Sequence, residues 1–399
     1  MSNFTSKEKL LIVMLEYFKK NKLFASLVLV VYLFVNSLFV LKYANKQHFI
    51  PEYACLILYV FFVFVGIYSI HVFQRVLDKI KNFDYYFIVI SFLLFFLFLF
   101  LNFQIDGNDL NVDRWSAMEV TIESILNGQY PYAVKDHLDQ TSSNLPGLFY
   151  IALPFYLLGD VGFLQPFCFL LICGYLLKIK CKPFYKVFIL FLMLASPAYL
   201  WEVVVKSDLM TNLILVILFI KYWNYKYKLN LYYNSRLLAF FCAFFILTRG
   251  IVAIPLILFL FRDFTKLNLK AQMIFVFSFL LSILFICLPV LITIPDINTL
   301  ISFNPINHQV KYAPKLLQIL VIVLTFFIAF KTRSLTKVFK YTFIIFTLLL
   351  FTTFILNSIE EGFSENLFGN LFDISYLSMI LPFAVIWIYE SLKINAMHA

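Results

Sequence analysis

The chain consists largely of long apolar blocks, and their length constrains its fold more than any other feature. A helix needs about 20 apolar residues, within a range of roughly 17–25, to cross a bilayer. Hydrophobic residues make up 62% of the 399 and charged residues 14%, against about 45–50% and 25% in average soluble domains. We therefore predict an all-α polytopic transmembrane helical bundle of about 10–12 helices in a single integral membrane domain, residues 1–399. The clear candidate spans are residues 23–42, 52–72, 85–103, 184–203, 208–223, 271–293, 316–331, 341–356 and 373–391.

Two further apolar stretches do not fit one straight span. Residues 145–178 are too long for a single helix and are divided by Gly159-Asp160. Residues 237–261 contain Arg249 at their centre. Because non-helical backbone at membrane depth is tolerated only where protein or a wet cavity covers it, a break at Arg249 indicates a cavity.

Loop charges predict the orientation, because Lys and Arg accumulate on the cytoplasmic side. The N-terminal segment carries five lysines and has no cleavable signal-peptide pattern, so we place it inside and residues 104–147 outside. If residues 237–261 crossed once, the later basic clusters would fall outside. Two half-length helices turning near Arg249 return those clusters inside. We predict ten full crossings plus this broken pair, both termini cytoplasmic, and Asp208 on the outer side.

The loop of residues 104–147 is acidic in a chain whose formal charge is +10. Its only basic residues are Arg114 and Lys135, whereas its acidic residues are Asp106, Asp109, Asp113, Glu119, Glu123, Asp136 and Asp139. Such a loop is either an inert extracytoplasmic connection or the working face of a membrane enzyme. The overall positive charge does not indicate nucleic-acid binding, because lysines cluster at block ends, where they meet anionic lipid headgroups.

An amphipathic helix is predicted inside this loop. After Asp113, apolar residues recur at three- and four-residue spacing for about three turns, until Asn127-Gly128 ends the pattern. Trp115 and Tyr130 suit the headgroup layer. The apolar positions are Trp115, Met118, Ile122, Ile125 and Leu126.

Asp113 and Arg249 are the first candidate site residues. Asp113 is either the capping residue of the amphipathic helix or a general base that takes a proton from an acceptor hydroxyl at the membrane surface. Arg249 has apolar sequence on both sides. An intramembrane charge is costly, so it is a functional candidate by default. Its alternatives are a structural pair with an Asp or Glu and a contact to a lipid-linked phosphate, which suits the planar donors of arginine.

Asp208 and a loose cation site complete the candidates. Lys206 and Asp208 either pair with each other, or Asp208 joins Asp113 in a carboxylate cluster. Asp109-x-Asn111-x-Asp113 alternates oxygen ligands as an EF-hand does, but Arg114 stands where glycine is needed and Val120 where the bidentate glutamate belongs. A looser Mg²⁺ or Mn²⁺ site remains an alternative.

Several site classes lack their sequence signatures. The six cysteines form no C-x-x-C pair and no zinc-ligand spacing. The sequence has no Gly-rich phosphate loop, G-x-S-x-G or kinase motif.

Three segments resemble the GT-C superfamily of polytopic glycosyltransferases, especially bacterial polyprenol-phosphate-mannose-dependent mannosyltransferases and aminoarabinose transferases. DRWSAMEVTIESILNGQYPY followed by NLPGLFYIALPFYLLG resembles the family's first outer loop, with Asp113 as the matching acid. SPAYLWEVVVKSDLMTNLILVILFIKYW is similar to the stretch with an acid just outside a helix, matching Asp208. LTRGIVAIPLILFLFRDF is similar to the Leu-Thr-Lys-Gly segment, with Arg249 in place of lysine. The resemblance covers roughly residues 85–265.

The resemblance implies an inverting transfer at the extracytoplasmic face of a bacterial inner membrane. A polyprenyl-phosphate sugar would be the donor, and a glycan or lipid the acceptor. Asp113 would act as general base, and Asp208 would orient the acceptor or support the site. Arg249 and Arg114 would bind the donor phosphate. The chain departs from the protein mannosyltransferases of the family, because Arg114 follows Asp113 where they have a paired Asp-Glu.

Other membrane functions remain alternatives. An O-antigen-type polymerase or ligase typically depends on arginine in large outer loops, whereas the main loop here is acidic. A flippase or transporter of lipid-linked glycans often has duplicated halves, and we find no convincing internal repeat. A scaffold without chemistry leaves the Arg249 break unexplained.

Overall fold

The computed structural model describes residues 22–47, 49–179, 181–309, 311–369 and 371–397, and these are predominantly helical. No β-strand occurs in them; Lys135 and Thr141 form one isolated bridge. The all-α prediction is confirmed. The longer helices are α1 (Lys22–Ala44), α2 (Glu52–Val72), α3 (Phe83–Gln104), α4 (Arg114–Leu126), α5 (Pro146–Leu157), α6 (Leu164–Lys178), α7 (Pro183–Leu194), α8 (Pro197–Val204), α9 (Leu209–Lys226), α10 (Ser235–Ile246), α11 (Ala253–Phe264), α12 (Leu269–Leu291), α13 (Lys315–Lys331), α14 (Leu335–Glu361) and α15 (Leu381–Met397).

Six helices in the described part of the chain are long and apolar enough to cross a membrane. They are α1, α2, α3, α12, α14 and α6, the last counted with the 3₁₀ turn Val161–Phe163 before it. The count rises to seven if α7 and α8 form one bent span. This architecture is that of an integral membrane protein, as the apolar blocks predict.

The helices group into two compact units. Unit 1 comprises the described residues of Met1–Ser91, Cys173–Trp201 and Phe346–Ala399. Unit 2 comprises Phe92–Ile172 and the described residues of Glu202–Ile345. All the predicted site residues belong to unit 2.

The block at 184–203, which the sequence predicts as one span, is bent in the structure. Helices α7 and α8 meet at an angle of 64°. The break falls at Ser196-Pro197, since proline has no N–H to continue the helix. Asn36 of α1 stabilises the break, because its Oδ1 accepts from Ser196 Oγ at 2.6 Å and from the Ala198 N–H at 3.2 Å.

The two apolar stretches that do not fit one straight span, residues 145–178 and 237–261, are both divided in the structure. Helix α5 ends before Gly159, whose φ of +111° is readily adopted by glycine, and α6 starts at Leu164. Helices α10 and α11 flank Arg249 and are each about 18 Å long at the rise of an α-helix. That length is too short for a hydrocarbon core of about 30 Å. The break therefore lies where the sequence predicts it.

The amphipathic helix is α4, and it ends at Leu126 before Asn127-Gly128, as predicted. Its apolar face packs against protein, since Met118 and Ile122 form a buried cluster with Leu148 and Phe149 of α5. Tyr130, which we expect in the headgroup layer, is buried among protein atoms at 5% exposure, and its depth in the membrane stays a prediction. Trp115 is half-buried beside the same cluster.

Candidate functional site

A buried ion pair between Arg249 and Asp208 is the centre of the candidate site. Arg249 Nε donates to Asp208 Oδ2 at 2.7 Å, and Nη2 donates to Oδ1 at 2.5 Å. The side chains are 4% and 1% exposed. Asn212 Nδ2 also donates to Asp208 Oδ2, at 2.8 Å. The carboxylate therefore has a fixed orientation, because a bidentate guanidinium and an amide hold both of its oxygens.

The backbone break presents Arg249 to this carboxylate. Arg249 is extended (φ −155°, ψ 132°) between α10 and a 3₁₀ turn. Two polar contacts hold the break: Leu247 C=O accepts from the Gly147 N–H at 2.8 Å, and Gln309 Oε1 accepts from the Gly250 N–H at 3.1 Å. Backbone groups freed from the helical ladder thus find partners within the protein.

A second buried carboxylate holds the start of α9, just beyond Asp208. Glu202 is fully buried. It accepts from the Met210 N–H at 2.7 Å, the Thr211 N–H at 2.6 Å and the Thr211 hydroxyl at 2.7 Å. Backbone N–H groups in the first turn of a helix have no partner within that helix, so Glu202 serves as a remote cap. It fixes the turn that carries Asp208.

The start of α4 brings Asp113 and Arg114 into the same neighbourhood. Burial raises the pKa of Asp208, but the charge of Arg249, with a smaller contribution from Arg114, brings that pKa below its ordinary value. Arg114 and Asp113 also both act on the pKa of the Tyr312 phenol, which burial raises. Asp113 occupies the N-cap position of α4, yet its carboxylate caps none of the described backbone N–H groups. The capping interpretation of Asp113 is therefore wrong.

Lys206 does not pair with Asp208. It has a left-handed backbone (φ +56°), and its Nζ lies 2.5 Å from Asp160 Oδ2. It also lies 5.9 Å from the centre of the Trp115 ring. The predicted Lys206–Asp208 pair is thus replaced by two separate ion pairs on either side of one turn.

Glu119 of α4 lies beside this second ion pair. Burial raises the pKa of Glu119 to about 7, and the negative charge of Asp160 adds to the shift while Lys206 opposes it. A carboxyl group with a pKa near neutrality can hold or release a proton under physiological conditions.

Buried polar atoms surround the turn at residues 205–208. Five of them have no hydrogen-bond partner among the described residues, and a polar interior of this kind suits water or a polar ligand. They are Asn102 Oδ1, Trp115 Nε1, Gln165 Oε1, Ser207 Oγ and Asn212 Oδ1.

A divalent-cation site at Asp109, Asn111 and Asp113 stays a prediction. Asp109 and Asn111 are exposed. Within the described ranges, no three His, Cys, Asp or Glu side chains are grouped so as to hold a metal ion. The structure pairs Asp208 with Arg249 and places Arg114, the residue after Asp113, near enough to act on the pKa of Asp208.

Sequence reasoning did not single out several of these residues. Glu202 carries a signal, because it is the only acidic residue in the block at 184–203, and intramembrane acids are functional candidates. Asp160 carries the same signal, as the only acidic residue in the stretch at 145–178. Glu119 carries none, because it lies among other polar residues and its role depends on contacts remote in sequence.

Comparison with known proteins finds no matching protein family, no similar curated protein and no similar solved structure.

Proposed function

We propose that this chain is a membrane glycosyltransferase that moves a sugar from a polyprenyl-phosphate donor to a glycan or lipid acceptor. The single observation that carries the proposal is the buried Arg249–Asp208 pair at a helix break, with Arg114 close enough to lower the pKa of the same carboxylate. One guanidinium group bound to this buried carboxylate and the positive charge of a second near it form a local arrangement that favours anions.

Charge development in the reaction explains why two arginines are useful. A polyprenyl-phosphate sugar is a phosphodiester with one negative charge, and the departing polyprenyl phosphate gains a second. Cations held in place before the reaction stabilise that new charge without reorganising. Arg249 and Arg114 are assigned this role. Asp208 acts as a positioning residue that fixes the guanidinium of Arg249.

Asp113 is assigned the role of general base. The acceptor hydroxyl oxygen attacks the anomeric carbon from the face opposite the phosphate, and the carbon–oxygen bond to phosphate breaks. The electron pair of that bond leaves with polyprenyl phosphate. The hydroxyl proton passes to the Asp113 carboxylate. Support comes from the position of this carboxylate, which starts α4 without capping it and shares the surroundings of Tyr312 with Arg114.

The proposal includes a location. Loop charges favour the extracytoplasmic face for residues 104–147, and the resemblance to polyprenyl-phosphate-dependent enzymes favours a bacterial inner membrane. A divalent cation bound through Asp109, Asn111 and Asp113 is a secondary part of the proposal.

The test is direct consumption of a donor. The purified protein is reconstituted in liposomes with a panel of radiolabelled polyprenyl-phosphate sugars, and release or transfer of sugar is measured. We expect one donor to be consumed by the wild type, a loss of at least about 100-fold in Asp113→Asn, and no loss in Asp139→Asn. Asp139 is a matched control, because it is an exposed acid of the same loop that pairs only with Lys135 among the described residues.

Four outcomes contradict the proposal or part of it. Full activity in Asp113→Asn removes the assigned base. Movement of a lipid-linked sugar across the bilayer without consumption indicates a transporter. Joining of lipid-linked oligosaccharides, with no use of a polyprenyl-phosphate monosaccharide, indicates a polymerase or ligase. Activity that survives a chelator removes the cation from the scheme.

A further inference from the structure

Unit 1 contains a cavity that the proposed transfer reaction does not use. Its volume is about 740 Å³, within the roughly 300–1,000 Å³ typical of ligand sites. It lies between the start of α3 and the turn that joins α6 to α7. The lining residues used below are Phe83, Asp84, Tyr85, Leu177, Pro183 and Lys186.

A buried lysine forms part of the cavity wall. The Lys186 side chain is 4% exposed, and its Nζ lies 2.7 Å from Asp84 Oδ1. The Asp84 side chain is 64% exposed. The ion pair therefore fixes an ammonium group at the wall of the cavity, with a carboxylate facing outward that an incoming anion can displace in part.

The two turns that border the cavity are basic. One of them is the turn between α2 and α3, and the other is the turn between α6 and α7. Asp78 of the former accepts from the N–H of Phe184, at the start of α7, at 3.3 Å, so the two turns are joined directly. Among the described residues of these turns and of the helix ends beside them, lysines outnumber aspartates by five to two. The lysines are Lys79, Lys81, Lys178, Lys182 and Lys186, and the aspartates are Asp78 and Asp84.

The cavity is at the level where lipid headgroups are expected. Helices α3 and α6, whose ends border it, are both long and apolar enough to span a membrane. Tyr85 and Tyr86 are 64% and 55% exposed at the start of α3, and tyrosine is enriched at the membrane–water interface. The positive-inside rule assigns both basic turns to the cytoplasmic leaflet.

We propose that this cavity binds the headgroup of an anionic phospholipid. The phosphate accepts hydrogen bonds from Lys186 of the cavity wall and from Lys182, an exposed lysine between the lining residues Cys181 and Pro183. The acyl chains run along the apolar side of α3 and α6 from Phe83 and Leu177. Basic pockets between membrane helices on the cytoplasmic side recognise anionic headgroups in this way. The excess of lysine favours an anionic over a zwitterionic headgroup.

The test compares two lipids on the full-length protein. Purified protein in detergent is titrated with dioleoylphosphatidylglycerol or dioleoylphosphatidylcholine, and bound lipid is counted by native mass spectrometry. We expect preferential retention of phosphatidylglycerol. Lys182→Gln/Lys186→Gln should weaken that binding by about tenfold or more. Lys266→Gln/Lys270→Gln is the matched control, because it removes one lysine from the turn between α11 and α12 and one from the first turn of α12, neither of which lines this cavity or adjoins a lining residue.

A second variant keeps every charge. Leu177→Trp places a larger side chain in the cavity and should reduce phosphatidylglycerol binding to a similar extent while leaving the Lys186–Asp84 pair intact. Equal losses in the cavity and control variants, unchanged binding in Leu177→Trp, or equal retention of the two lipids would overturn the proposal. Displacement of the lipid by soluble glycerol 3-phosphate at similar concentration would identify a free phosphate ligand, and would also overturn it.

Discussion

Arg249 donates two hydrogen bonds to the two carboxylate oxygens of Asp208, at 2.7 and 2.5 Å, where both side chains are buried. The pair joins the backbone break after α10 to the turn before α9. Two elements that are far apart in sequence are thus fixed by one charge-assisted contact. Since each ion is unfavourable to bury alone, each residue keeps the other in place.

Removing the charge of Asp208 should be strongly destabilising. In Asp208→Asn, Arg249 stays buried without its counter-ion, which costs about 3–5 kcal/mol. Thermal denaturation of the purified protein in detergent measures the loss of stability. Asp263→Asn removes the partner of Lys266 in an exposed pair, and we expect a change of at most about 1 kcal/mol there.

A double variant checks the cause. Asp208→Leu/Arg249→Met removes both charges and leaves no unpaired ion. Its loss of stability should therefore be smaller than the sum of the losses in the two single variants. Strictly additive losses would mean that the two side chains stabilise the fold independently.

Titration of Glu119 should make stability depend on pH. Its pKa is raised to about 7 in the folded protein, above the ordinary value of about 4.3 in an unfolded chain. The stabilising contribution of the protonated form is therefore fully present below about pH 4.3 and is lost as pH rises through about 7. The groups that act on Glu119 are Asp160, Lys206, Glu123 and Asp106.

Variants at two positions of one helix isolate this effect. Glu119→Gln should melt at a higher temperature than the wild type at pH 8, and the difference should close at pH 4–5. Glu123→Gln removes an exposed carboxylate one turn further along α4 and should leave the main pH dependence in place. A wild-type-like pH profile in Glu119→Gln would assign the titration to another group.

The hydroxyl of Thr211 should contribute more to stability than that of an equally buried threonine elsewhere. Thr211 donates to the Glu202 carboxylate, whereas Thr325 of α13 donates only to the carbonyl of Val321 in its own helix. Because hydrogen bonds to charged groups are the stronger class, Thr211→Val should cost about 1.5–3 kcal/mol and Thr325→Val less than about 1 kcal/mol. Equal melting temperatures for the two variants would mean that the Thr211 hydroxyl adds nothing to the two backbone hydrogen bonds by which Glu202 caps α9.

The sequence predicts helix ends best where local residues determine them. Asn127-Gly128 ends α4, and the break near Gly159 follows from a glycine with positive φ. The bend at Ser196-Pro197 was not predicted, because the acceptor that stabilises it belongs to Asn36, 160 residues away. Local sequence patterns do not predict a partner that is so far away in the chain.

The site shows the same limit. Sequence reasoning named Asp208 and Arg249 as candidates, because charges next to apolar blocks stand out. It gave a pair of Arg249 with an Asp or Glu as one alternative, which the structure confirms, but it did not identify Asp208 as that partner. For Asp208 it offered the neighbouring Lys206 as one alternative partner. The left-handed backbone of Lys206 accompanies a contact with Asp160 instead. Partner choice depends on backbone direction, which hydropathy and charge do not determine.

Gly147 should tolerate no side chain, because it lies against the backbone of the Arg249 break. A Cβ atom there would lie within 2.4 Å of Phe244 O and 2.8 Å of Leu247 C. Gly147→Ala should therefore separate the start of α5 from the break, weaken the hydrogen bond to Leu247, and lower both the melting temperature and the transfer activity. Gly174→Ala is the matched control, since no described atom lies within 4 Å of its added Cβ. Alanine is also the better helix former by about 1 kcal/mol, so Gly174→Ala should match or exceed the wild-type stability. If Gly147→Ala has the melting temperature of the wild type, the contact with the start of α5 is not what holds Arg249 toward Asp208.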